Sequence, residues 1–114
     1  SETMIRSIVG PNCSEQLKRT CITSMSRATR LGLELCTELI GNHDALAQLS
    51  EIKAPTLVLV GADDLDTPVE YAAYLCRQID AATMKIIINA GHISNLENPD
   101  AVNKALQTHI SEST

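Results

Sequence analysis

Two apolar runs, TLVLV at 56–60 and MKIIIN at 84–89, each lead through a turn into a helix start marked by proline, at Thr67-Pro68 and Asn98-Pro99. This strand-helix-strand-helix order leaves few folds open. A right-handed crossover makes the two strands parallel neighbours, and parallel strands are covered on both faces. Two strands alone neither bury their faces nor satisfy both edges. The rest of the sheet is therefore expected from another polypeptide or from a second copy of the chain.

Helical signals surround the two strands. Thr67-Pro68-Val69-Glu70 reads as a Thr N-cap, Pro at the first helical position and Glu at the third, a capping box. Val69, Ala72, Ala73, Cys76 and Ile79 form the apolar stripe that follows. After Asn98-Pro99, Val102, Ala105, Leu106 and Ile110 mark a last helix. Upstream, Leu17, Cys21 and Ala28, then Leu31, Leu35 and Leu39, have helical spacing up to a stop at Gly41-Asn42, as one long or two short helices. Asp44 is placed to cap one more turn before Pro55 pulls the chain into an extended strand entry. The expected division is a helical segment over 1–50 and a β-α-β-α portion over 51–114.

Composition excludes several classes of partner. The 114 residues are 44% hydrophobic with two Tyr and neither Trp nor Phe, which predicts an aliphatic core. A net charge of −5 without a Lys/Arg cluster argues against nucleic acid. No stretch approaches the roughly 18 apolar residues of a membrane span, and the first residues lack the pattern of a secretory signal. A cytoplasmic protein without a membrane partner is expected. Cys13, Cys21, Cys36 and Cys76 have no C-x-x-C spacing, so reduced, buried thiols are expected rather than disulfides.

The chemistry-bearing residues lie just past the two strands. Side chains at the carboxyl ends of adjacent parallel strands project into one crevice, and Asp64 and His92 hold such positions in GADDLDTP and AGHISNLENP. An Asp on one ring nitrogen fixes the His tautomer and stabilises the imidazolium formed when the other nitrogen takes a proton from a nucleophile. Such a pair suits acyl transfer once a Ser or Cys is supplied.

PTLVLVGADDLDTP resembles the seventh strand and acid loop of α/β-hydrolases, written P-T-L-[VI]-x-x-G-x-x-D-x-x-x-P. AGHISNLENPDAVNKAL resembles their His loop and final helix. Within that superfamily the likeness is to 3-oxoadipate enol-lactonases and related esterases. The resemblance covers 52–110 most strongly and implies the C-terminal part of an α/β-hydrolase fold, two parallel strands with flanking helices, preceded by cap-like helices. It also implies Asp64 as triad acid and His92 as triad base, acting on an ester or enol-lactone without metal or organic cofactor. None of the five glycines opens a G-x-S-x-G or G-x-C-x-G nucleophile turn. The N-terminal half of a hydrolase is thus the expected partner, and a non-enzymatic, self-associating descendant of such an enzyme is the alternative.

Other polar residues have plainer roles. Asp63, Asp64 and Asp66 could make an oxygen-rich cation site, but a helix N-terminus already favours acids there. A likeness to the Asp-x-Asp-x-Thr loop of haloacid-dehalogenase-type phosphatases fails at Pro68. Cys76 is expected to pack, His43 and His109 to sit at a surface or helix end, and Arg27 and Arg30 to lie on a solvated helix face.

Overall fold

The structure is a computed structural model and describes residues 2–114. Three helices come first: α1 (Glu2–Ile8), α2 (Glu15–Ser26) and α3 (Arg30–Asn42), followed by a 3₁₀ segment, Leu46–Glu51. Strand β1 (Thr56–Gly61), helix α4 (Val69–Gln78), strand β2 (Ala82–Ile87), the short helix α5 (Ser94–Glu97) and α6 (Pro99–Ser113) complete the chain. The strands pair in parallel, from Thr56 opposite Ala82 to Gly61 opposite Ile87.

The second strand begins and ends two residues before its expected position. Thr56 N–H donates to Ala81 C=O at 2.8 Å, which sets the register as soon as α4 ends. Asn89 then adopts a left-handed conformation, φ 53°, which Asn tolerates better than most residues. Ile88 is thereby left outside the ladder, and its carbonyl accepts a 2.8 Å bond from the Asn98 side chain. The other end of that amide accepts from Ala101 N–H and caps α6.

Residues 14–42 form two helices, not one. Ser14 caps α2 by accepting from Leu17 N–H at 3.1 Å, and Thr29 caps α3 by accepting from Gly32 N–H at 3.0 Å. Asp44 accepts from Leu46 N–H at 3.1 Å in a local turn ahead of the 3₁₀ segment, but the cap position itself falls on Ala45, not on Asp44 as expected. Helix α1 has no counterpart among the expected elements. Its Ile5 joins Val9, Cys13 and Cys21 in one core cluster, against which Ile93 packs. Ile87, Ala90 and Val102 form a second cluster under the sheet.

Burial fades away from these clusters. Ala72 and Ile79 on the α4 stripe are buried, whereas Leu31, Leu35 and Leu39 on α3 face outward, Leu39 at 72% exposure. Met84 and Ile86 of β2 are exposed as well. Cys13 and Cys21 are buried, Cys76 is half-buried, and Cys36 is exposed, against the expectation of buried thiols throughout. Its helix presents no buried residue.

Candidate active site

Parallel pairing brings the loops after β1 and β2 side by side, and backbone bonds lock them together. Ala62 N–H donates to Ile87 C=O and Asp63 N–H to Ala90 C=O, both at 2.9 Å. The approach needs glycine: a Cβ on Gly61 would collide with the carbonyl oxygens of Gly91 and Ala90. Asp64 then turns inward.

Its carboxylate is 6% exposed and has four partners. Oδ1 accepts from the N–H groups of Asp66 and Thr67, each at 3.0 Å, and Oδ2 accepts from the Thr67 hydroxyl at 3.2 Å. Nδ1 of His92 lies 3.0 Å from Oδ2. Burial pushes the Asp64 carboxyl up. The Thr67 N–H, the hydrogen bond and charge of His92, and the Asp66 N–H outweigh it and hold the group below the usual carboxylate value.

An ionised carboxylate only accepts, so Nδ1 of His92 is the donor and Nε2 is left as the basic nitrogen. Thr67 Oγ1, 3.2 Å from Nδ1, shares that proton. The His92 side chain is 39% exposed, and Nε2 lies 3.6 Å from Asp66 Oδ2, beyond hydrogen-bond reach. Asp64 and His92 face a groove of about 770 Å³ along β1 and α4, walled by Val58, Val60, Tyr71 and Leu75. With the Nδ1 proton held toward Asp64, an unprotonated Nε2 can accept a proton from a hydroxyl brought into that groove.

No family model matches the chain. Among proteins of known activity, 83 residues are 35% identical to 3-oxoadipate enol-lactonase 2 of Acinetobacter baylyi, covering 73% of this chain and 31% of that protein. Another 61-residue match, 38% identical, is to an (E)-2-((N-methylformamido)methylene)succinate hydrolase of the same organism, covering 54% and 23%. The fold superposes on an esterase of Exiguobacterium antarcticum with TM-score 0.85 at 17% identity, over 96% of this chain and 41% of that one. The chain belongs to the α/β-hydrolase superfamily. It spans between about a quarter and two fifths of the length of the curated relatives it matches.

Within this hydrolase fold, the two residues singled out in the sequence meet, and the others scatter. Asp66 flanks the imidazole, whereas Asp63 turns toward Gly10, its Oδ2 3.3 Å from where a Gly10 Cβ would stand. Among the described residues no group of three His, Cys, Asp or Glu is arranged to hold a metal ion. Arg30 pairs with Glu34 at 2.8 Å on an exposed helix face, Arg27 and His43 sit at helix C-termini, and His109 lies on α6. Among the described residues no helix is long and apolar enough to cross a membrane.

Thr67 is the site residue that the sequence conceals. It precedes Pro68 and reads as an N-cap, yet Pro68 takes the cap position and no side chain caps α4. The Thr67 hydroxyl is committed to Asp64 and His92 instead. Its only signal in the sequence is its place three residues after Asp64, within reach of a local side-chain turn.

Proposed function

We propose that Asp64 and His92 are the acid and base of a Ser-His-Asp hydrolase acting on a carboxylic ester or enol-lactone. The observation that carries this reading is the 3.0 Å bond between a buried, ionised Asp64 and Nδ1 of His92 at the mouth of an apolar groove. The activities of the enol-lactonase and esterase relatives agree with that substrate class. A serine hydroxyl attacks the carbonyl carbon and gives its proton to Nε2 of His92. Asp64 stabilises the imidazolium, which then protonates the leaving oxygen; water repeats the cycle on the acyl-enzyme. No metal or organic cofactor enters these steps.

The nucleophile and the oxyanion-binding groups come, on this proposal, from polypeptide outside these 114 residues that extends the sheet from β1. Residues 1–50 act as the end of a cap, and 51–114 as the C-terminal core. The unpaired flank of β1 supports this arrangement. The test is to isolate the chain with its complementing polypeptide and treat the assembly with a fluorophosphonate. Labelling of a serine in that polypeptide, with ester hydrolysis abolished by His92→Ala, is the expected result; hydrolysis that survives His92→Ala rules the proposal out.

A second reading is favoured by the outward-facing leucines of α3 together with the exposed Met84 and Ile86. Two copies of the chain would cover these surfaces in a non-enzymatic assembly. Light scattering separates the two, since a stable monomer at micromolar concentration contradicts self-association.

A further inference from the structure

The His92 loop is held from outside its own βαβ unit, by the turn at residues 8–13. His92 N–H donates to Ile8 C=O at 2.7 Å. One carboxylate spans the two segments: Glu97 Oε1 accepts from Gly10 N–H at 2.6 Å, and Oε2 from Gly91 N–H at 3.0 Å. Asn12 Nδ2 adds a 3.0 Å bond to Asn89 Oδ1. The backbones touch directly, because a Cβ on Gly91 would lie 2.6 Å from Ile8 O.

These bonds bear on the imidazole. Its side chain is 39% exposed, so packing alone does little to orient it. Orientation must come from the backbone that carries the ring and from the contacts of Nδ1 with Asp64 and Thr67. Gly91 N–H and His92 N–H are consecutive donors tied to different acceptors, which holds the peptide planes on both sides of Gly91 and so the N–Cα bond from which the His92 side chain departs. Charge-assisted bonds from one rigid carboxylate to two N–H groups are stronger than neutral ones, and neither oxygen can shift without moving the other.

We propose that Glu97 is a positioning residue for His92, clasping the 8–13 turn to the His loop so that Nδ1 stays on Asp64 and Nε2 faces the groove. Its catalytic consequence rests on His92 being the base, but its structural content does not.

Nuclear magnetic resonance on the full chain tests it without substrate. In the unmodified protein, the Gly10 and Gly91 amides are expected to exchange at least about 10-fold more slowly than unprotected amides, and the Nδ1 proton of His92 to give a downfield signal. Glu97→Ala is expected to abolish that signal, and Glu97→Gln, which keeps one accepting oxygen of two, to weaken it while the rest of the spectrum is retained. A His92 signal unchanged in Glu97→Gln, or Gly10 and Gly91 amides unprotected in the unmodified chain, overturns the proposal. The exchange measurement needs no variant, so the question stays decidable if Glu97→Ala fails to fold. Hydrolysis surviving His92→Ala would remove the base assignment and leave the Glu97 result standing.

Discussion

Asp64 Oδ2 and His92 Nδ1 are separated by 3.0 Å across 28 residues of sequence, a closeness set by the parallel register of β1 and β2 and by the glycine contact beneath the two loops. The pair is formed by residues of this chain alone. Its chemistry can therefore be probed both in this chain and in a complemented assembly.

Asp64→Asn replaces an acceptor that holds four hydrogens with a group that accepts at only one end. With the amide oxygen kept on the two backbone N–H groups, the amide NH2 faces the imidazole and donates to Nδ1, which moves the His92 proton to Nε2. Hydrolysis by the complemented assembly is expected to fall by about 10⁴-fold in kcat, the cost of removing the acid from a triad while its geometry persists. Steady-state kinetics on an ester substrate measure it.

Thr67→Val removes one hydroxyl shared between Asp64 and His92 and nearly preserves volume. Chemical denaturation is expected to show a loss of about 1 kcal/mol, typical of a single hydrogen bond. The direct bond between Asp64 and His92 should remain.

Acid should weaken the fold through Asp64. Its folded carboxyl is held below the ordinary value, so its contribution is complete above the unfolded pKa near 3.9 and is lost as pH falls through the folded value. Stability measured from about pH 5 downward is expected to decline, and Asp64→Asn should flatten that limb. An identical acid limb in the two proteins would contradict the assignment.

Glycine substitutions should divide sharply. Gly61→Ala forces a methyl group into the backbone of the His loop and is expected to cost about 3 kcal/mol or more. Gly41→Ala meets nothing within 4 Å near the end of α3 and is expected to stabilise by up to about 1 kcal/mol. Thermal melts of the two variants beside the parent protein decide it.

Thiol reactivity should follow exposure. Burial pushes the Cys13 thiol up, with the Glu97 charge adding to it, while Cys36 is open to solvent. Alkylation followed by mass spectrometry is expected to modify Cys36 on the order of 10-fold faster than Cys13 or Cys21.

The β-α-β-α order and the meeting of Asp64 with His92 were legible in the sequence because they depend on local signals. Apolar runs, prolines at helix starts and residues just past strand ends all act over a few positions. The start of β2 was not legible, because Ala82 and Thr83 are chosen by pairing with Thr56 and Leu57 rather than by their own hydrophobicity. Thr67 was misread for a related reason: a hydroxyl before Pro68 suits a cap, and only the tertiary approach of His92 gives it better partners. The leucines of α3 have the right period, but periodicity says which residues share a face, not what covers it. Glu97 was invisible as an anchor since its partner Gly10 lies 87 residues away.

The backbone contacts among Gly10, Gly61 and Gly91 also set limits for laboratory evolution. Where three segments meet without side chains, there is no surface to recontour, so randomised libraries gain nothing from these positions and lose folded members. Leu65, 76% exposed in the same acid loop and one residue beyond Asp64, carries no such restriction. It lines a hollow with Val9, Pro11 and Lys18, so diversity concentrated there would recontour that surface while leaving the foundation of the imidazole intact.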